Sequence, residues 1–328
     1  MKFDLVTIGE ALFDIFVQVP SSLLCPLGKL ECEPALLCFT YGMKMDVRKI
    51  YLDVGGSACN AAVAMAKLGM KVAYAGMIGK DFYGEEIFQR LIKNKVSTNL
   101  LIRKKEIKSG FAFILAGPTG ERTIFIYRGE KDYKLLDLEK ILKKAKRFYI
   151  GPLPKKANFI LPKIARIAKK NSLEIIINPE KNQISDRKNL LPILKVAKMV
   201  FMNKEDAEEF TFQTEIPLIL KVLKKLGPEL ICITEGDKGA HVFDGSLFYK
   251  IGKFPTKKVD TTGAGDAFAS TFSAIYLQTK DIEKALKFAA CNAASVVSEF
   301  GAQTGLLTKG EIRNRLKNYP QVKVIKII

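Results

Sequence analysis

In the second half of the chain, short apolar runs alternate with longer stretches in which apolar residues recur every three or four positions. The runs at 147–151, 173–178, 198–202 and 230–234 read as strands, and the stretches at 137–145, 156–170, 188–196 and 204–210 read as helices. Such alternation builds a parallel sheet covered by helices. The first half departs from this regularity. A strand at 5–9 continues into an apolar extended stretch at 10–19 that Asp14 interrupts, and a further strand is expected at 47–54. The segments 109–116 and 122–128 flank Gly117-Pro118-Thr119-Gly120 and read as a β-hairpin. Residues 20–46 hold prolines, glycines and three cysteines without any period, and read as a long loop or insertion. The pattern predicts one α/β domain over 1–328 with an intermittent β accessory from about 12–19, 47–54 and 109–128.

Two helices stand out by how they begin. Asp260-Thr261-Thr262-Gly263-Ala264-Gly265-Asp266-Ala267-Phe268 leads into a run of small and apolar residues at 269–277, so a glycine loop opens a buried helix. A helix mouth of this kind directs free N–H groups and the positive end of the helix dipole at one spot, which suits a phosphate or a developing anion. Asp266 in the first turn is a helix-capping acid on one reading and a base beside an anion site on the other. Gly55-Gly56-Ser57-Ala58-Cys59-Asn60 opens a second such helix, running from Ala61 to Leu68 and closed by Gly69. Asn60 would share that mouth with a polar ligand. Asp14 is a further candidate, because an acid in an apolar strand needs water or a polar ligand to face.

Composition narrows the possibilities. Hydrophobic residues at 48% and charged residues at 27% over 328 positions describe a globular protein with a large core. No apolar run approaches the roughly 20 residues that span a bilayer, and the N-terminus reads as a strand, not a signal peptide, so a cytoplasmic protein without membrane contact is expected. The formal charge of +19 is spread over predicted helices such as 140–147 and 221–225 as solvated faces, with no nucleic-acid module beside it. The six cysteines contain no C-x-x-C pair and His241 is the single histidine, which leaves little for a zinc site. Free thiols are expected, and a structural role for His241 in a strand at 240–243.

Two familiar phosphate motifs fail. No segment supplies G-x-x-x-x-G-K-[ST], and the dinucleotide pattern breaks at Phe268 after Gly263 and Gly265. The stretch 260–268 resembles instead the second signature of the ribokinase-like (PfkB) carbohydrate kinases, along its whole length. Gly55 to Asn60 with the helix behind it resembles the first signature, and 76–84 the glycine and aspartate loop that follows. The resemblance extends from Val6 to about Gly305.

The resemblance implies a doubly wound, mostly parallel sheet flanked by helices, with a small β-sheet lid over the sugar. It implies ATP as donor, Mg2+ as companion, and transfer of the γ-phosphoryl group to a primary hydroxyl of a sugar or sugar acid of the fructose, ribose or 2-keto-3-deoxygluconate type. A nucleoside kinase of the same family, or a non-catalytic sugar or nucleotide sensor on this fold, is the alternative. Asp266 would take the proton from the sugar hydroxyl while N–H groups from Gly263, Ala264 and Gly265 to Asp266 hold phosphoryl oxygens. Asp14, Gly55, Gly56, Asn60 and Arg128 fall where the family binds sugar. Thr234, Gly236 and Gly239 match the loop lining the nucleotide, and Asn292 the helix bordering adenine. Asn203 with Asp206, beside Glu205, resembles the N-x-x-E element that organises Mg2+ through water. Asp260 and Thr262 lie where a monovalent cation, K+, would bind. Lids in the family often pair between subunits, so a homodimer follows. Asn178-Pro179-Glu180 departs from the D-P-N pattern at that place.

Overall fold

In the computed structural model, residues 2–20, 23–26, 35–47, 49–117 and 122–327 are described. The chain opens with β1 (Leu5–Ile8) and β2 (Leu12–Gln18), and β3 (Leu24–Pro26) and β4 (Ala35–Leu37) pair as a short antiparallel ribbon. β5 (Ile50–Gly55) leads into α1 (Ser57–Lys67), followed by β6 (Val72–Ala75), β7 (Met77–Gly79), α2 (Phe82–Lys93), β8 (Ile102–Lys104), β9 (Gly110–Ala116) and β10 (Arg122–Tyr127). Then come α3 (Leu138–Leu142), β11 (Arg147–Ile150), α4 (Ile160–Lys170), β12 (Glu174–Ile177), α5 (Lys181–Ile184), α6 (Arg187–Leu194), β13 (Ala197–Asn203), α7 (Lys204–Thr211) and α8 (Ile216–Lys225). β14 (Leu230–Thr234), β15 (Ala240–Phe243), β16 (Phe248–Ile251), α9 (Ala264–Thr279), α10 (Ile282–Val297), α11 (Lys309–Lys317) and β17 (Val324–Ile327) complete it.

The main sheet has nine strands in the order β17-β16-β15-β14-β13-β12-β11-β1-β6. From β6 to β14 every pairing is parallel, and β15, β16 and β17 continue the edge antiparallel. Side chains alternate across it. Tyr149, Ile176, Met199 and Cys232 enter one core with α1, α9 and α10, whereas Ile150, Ile177, Val200 and Ile231 enter the other with α4, α6 and α8. Both faces are covered, which is why these strands read as continuous apolar runs. The α/β, doubly wound expectation holds.

A second sheet runs in the order β10-β9-β2-β5. Its strands come from the extended segments of the first half, and the turn expected around 118–120 lies outside the described residues. Segment 20–46 differs from the loop reading: Leu24–Pro26 and Ala35–Leu37 are three-residue apolar stretches, too short to register as a period, yet the two pair. Cys25, Cys38, Cys59, Cys232 and Cys291 are free thiols, and Cys32 lies outside the described residues. Among the described residues no helix is long and apolar enough to cross a membrane.

Candidate active site

Polar residues collect beyond the carboxyl ends of the parallel strands, where the loops of an open α/β sheet leave a crevice. Glu10 follows β1, Asn178 and Glu180 follow β12, and Asn203 stands opposite Thr234 where β13 and β14 end. Glycine opens both facing helices. Gly263 caps α9 at φ +76, and a Cβ there would meet the Ala302 backbone at 2.7 Å, so the loop needs glycine on two counts. At Gly55 a Cβ would lie 2.0 Å from Asp14 Oδ2, so the Asp14 carboxylate passes directly over that glycine.

Three adjoining cavities follow one another along the crevice. The first, about 310 Å³, is mostly apolar and is lined by Thr234, Gly236, Gly239, Thr256 and Phe268, with Ala290, Ala293, Ala294 and Val297 of α10 as one wall. The second, about 260 Å³, is lined by Asn178, Glu180, Asn203, Asp206, Gly265 and Asp266. The third, about 180 Å³, lies under the smaller sheet and is lined by Glu10, Asp14, Asn60, Arg128, Glu180 and Asp266. Thr261 and Gly265 border the first and second cavities; Arg122, Gly263 and Asp266 border the second and third.

Asp266 is thus a shared wall. Ser57 donates to its Oδ1, Asn60 Nδ2 to its Oδ2 at 2.9 Å, and Asn178 Nδ2 to its Oδ1 at 3.3 Å. Burial pushes its pKa up, and the Ser57 and Asn60 hydrogen bonds pull it back towards the ionised form. Ala264 N–H turns back to the Thr261 carbonyl at 3.3 Å, and the first intrahelical bond runs from Ala267 N–H to Gly263 O at 2.8 Å. The N–H groups of Gly265 and Asp266 are therefore the first-turn donors without an intrahelical acceptor.

The third cavity is acidic. Asp14 is raised to about 7 by burial first, then by repulsion from Asp53, Asp260 and Asp266. Glu180 is likewise raised to about 7, by burial and then by Asp266. Glu10 is buried, paired with Arg128, and raised mainly by desolvation; its Oε1 finds no hydrogen-bond partner. Arg122 donates to the Thr261 hydroxyl and lies 3.9 Å from Asp260 Oδ1. Both cations facing the cavity already hold protein partners.

Other expected positions fall as follows. Asn203 caps α7, taking the Asp206 N–H at 2.7 Å and donating to Asp206 Oδ2 at 2.9 Å, and it is Asp206, not Glu205, that lines the second cavity. An oxygen donor of this kind suits a magnesium ion held mainly by water and phosphate. Asp260 accepts from Thr262 N–H, the Thr262 hydroxyl and Gly301 N–H at 3.0, 2.8 and 3.1 Å, so its carboxylate fastens the loop. Asn292 is not brought to the first cavity. Its amide donates to Thr271 Oγ1 at 2.8 Å and accepts from Leu307 N–H at 2.9 Å, on the far side of α10 from the alanine wall. His241 contacts Glu235 Oε2 at 3.4 Å on β15, away from these cavities. Ser57, Glu10, Glu180 and Arg122 were not among the sequence candidates. Ser57 lay inside the first glycine motif and Glu180 inside the departure from D-P-N; Arg122 had no signal beyond its place after the hairpin turn.

The description "pfkB family carbohydrate kinase" matches residues 25–309. The chain belongs to that family. These kinases are phosphotransferases with an alcohol group as acceptor. The ribokinase of Bacillus subtilis is 32% identical over 273 residues, covering 80% of this chain and 87% of the relative. A nucleoside kinase of Methanothermobacter thermautotrophicus is 25% identical over 267 residues, covering 80% and 84%. Among solved structures, Arabidopsis thaliana ribokinase complexed with ribose and ATP superposes with a TM-score of 0.75 at 23% identity, covering 97% of this kinase and 99% of that chain. The ribokinase-like fold is therefore common to both.

Proposed function

We propose that this kinase transfers the γ-phosphoryl group of ATP to a primary hydroxyl of a neutral sugar of the fructose or ribose type. The observation that carries the reading is the position of Asp266, which borders both the middle cavity and the acidic cavity under the smaller sheet. The apolar first cavity, walled by α10, suits an adenine ring, and its junction at Thr261 and Gly265 leads the phosphate chain towards α9. A sugar in the third cavity then presents its hydroxyl to Asp266.

Asp266 accepts the hydroxyl proton as the oxygen attacks the γ-phosphorus; the bond from that phosphorus to the bridging oxygen breaks, and ADP leaves. The Gly265 and Asp266 N–H groups and the dipole of α9 stabilise charge on the transferring oxygens, with Arg122 opposite. Bound Mg2+ neutralises phosphate charge. Asp206, positioned by Asn203, is the acid that would hold it, through water. The smaller sheet serves as the lid. Ile50, Leu52 and Phe125 on it stay more than half exposed, which supports pairing of two lids in a homodimer.

The neutral acceptor is argued from charge. Glu10, Asp14 and Glu180 face the cavity as hydroxyl acceptors, and among the described residues that line it Arg128 is paired with Glu10 and Arg122 is turned to the Thr261 hydroxyl, towards the phosphoryl side. A sugar acid would add repulsion among groups already raised to about 7. ADP release measured with ATP across matched neutral sugars and their acids tests this. Turnover of a neutral ketose or pentose, abolished at least hundredfold by Asp266→Asn, is expected; preference for the acids, or no turnover of any sugar, defeats it.

A further inference from the structure

We infer that Gln303 is a positioning residue that fixes which end of the Asn60 amide faces Asp266, with Arg90 and Asp53 setting the direction from behind. The inference rests on the proposed role of Asp266 as base. Gln303 belongs to the segment after α10, Arg90 to α2, Asp53 to β5 and Asn60 to α1, so four separate parts of the chain meet behind one carboxylate.

An amide side chain offers NH2 at one end and a carbonyl at the other, in nearly the same shape, so its direction is decided by its neighbours. Arg90 can only donate and the Asp53 carboxylate can only accept; Arg90 Nη1 lies 2.6 Å from Asp53 Oδ1. Arg90 Nη1 also donates to Gln303 Oε1 at 3.4 Å, and the Gln303 N–H donates to Asp53 Oδ2 at 3.3 Å. The carbonyl end of Gln303 is thereby committed. Its Nε2 must face the other way, where it donates to Asn60 Oδ1 at 2.9 Å and approaches Cys59 Sγ at 3.7 Å. With its own carbonyl committed in turn, Asn60 presents Nδ2 to Asp266 Oδ2 at 2.9 Å.

Reversing any amide in this row would set oxygen against oxygen. Asn60, Asp53 and Gln303 are all at most 5% exposed, so water is not at hand to repair a reversal. A carboxylate that loses an N–H donor and gains a carbonyl neighbour is less readily ionised, and an ionised Asp266 is what proton abstraction requires. The row also ties the base to the lid: beside Asp53 on β5, Tyr51 stacks on Phe300 with ring centroids 4.3 Å apart.

The test uses the full chain, with steady-state ADP release recorded against pH and against both substrates. Gln303→Glu keeps an acceptor for Arg90 but has no donor for Asn60, so the Asn60 amide turns round. Its kcat is expected to fall about tenfold or more with KM for ATP within about twofold, and the acidic limb of the kcat profile to move up by about one pH unit. Gln303→Met, of similar volume, releases Asn60 without reversing it and should lose less. Equal losses in the two variants with an unmoved limb would make Gln303 a packing residue only, and an unchanged kcat in Gln303→Glu overturns the inference. Should that variant fail to fold, Arg90→Met removes the obligate donor and frees Gln303 without reversing it, so its loss should stay near that of Gln303→Met; a loss as large as that of Asp266→Asn there is equally fatal. Asp266→Asn in the same assay separates the two ideas. Full activity in it removes the base itself, whereas an inactive Asp266→Asn beside a normal Gln303→Glu removes only the row of amides.

Discussion

Arg122, the first residue of β10, donates to the hydroxyl of Thr261, which lies in the loop that opens α9. The smaller sheet and the loop that opens α9 are thus joined through this guanidinium, with Asp260 3.9 Å away as counter-charge. That cation borders the second and third cavities, so on the proposed function a phosphoryl group passing between them would meet it.

Replacing Arg122 by methionine keeps much of the stem and removes the charge. The kcat/KM for sugar phosphorylation should fall about ten- to a hundredfold, mostly in kcat, because the charge counts most when it develops on the transferring group. Lysine should restore only part of this, since a point charge cannot reach Thr261 and the phosphoryl oxygens at once. Initial rates with saturating ATP would decide, and a change confined to KM would contradict the assignment.

The two glycines of the α9 loop should fail differently. Gly263→Ala adds a Cβ at φ +76 against Ala302 and should destabilise the protein by about 1–3 kcal/mol. At Gly265 a Cβ meets nothing within 4 Å, and the position is helical, so alanine there should leave stability unchanged or raise it by about 0.5–1 kcal/mol. Yet Gly265 borders the first and second cavities, and its new methyl group should weaken ATP binding. Thermal melts with ATP titrations distinguish them; a Gly265→Ala protein that binds ATP normally would move the phosphates elsewhere.

The acidic cavity has a pH signature in the ligand-free protein. Asp14, at about 7 in the fold against 3.8, and Glu180, at about 7 against 4.5, bind protons more tightly when folded. Their contribution is therefore complete below about pH 4 and is lost as pH rises towards 7, by about 1.4 kcal/mol per unit of displacement for each group. Asp81 does not enter this window: burial works against it, but hydrogen bonds from Ser109 and Gly84 hold it below its ordinary value, so its effect comes at lower pH. Calorimetry should show the melting temperature dropping by several degrees between pH 5 and 8. The Asp14→Asn, Glu180→Gln double variant should flatten that slope, and an equally steep slope in it would refute the account.

The parallel sheet was legible because strands buried on both faces are uniformly apolar and the helices between them keep their period. The α9 mouth was legible because glycines before a run of small residues are informative within ten positions. Asn292 shows the limit of a local reading. It lies on α10, which walls the first cavity, but that cavity takes Ala290, Ala293, Ala294 and Val297, one stripe at helical spacing, and Asn292 points off that stripe to Thr271. Arg122 with Thr261, Arg128 with Glu10, and Gln303 with Asn60 are each separated by more than a hundred positions. No periodicity reports such a pairing; only the sheet order brings the partners together.

The segment that follows α10 carries a consequence for biogenesis. Gly301 N–H holds Asp260, Ala302 packs on Gly263, and Gln303 holds Asn60. During synthesis from the N-terminus, both glycine-led helices emerge before the residues that brace them. A chain stalled short of residue 301 therefore carries the residues that line the three cavities but none of this bracing, so the candidate site is completed late, over contacts of very long sequence separation.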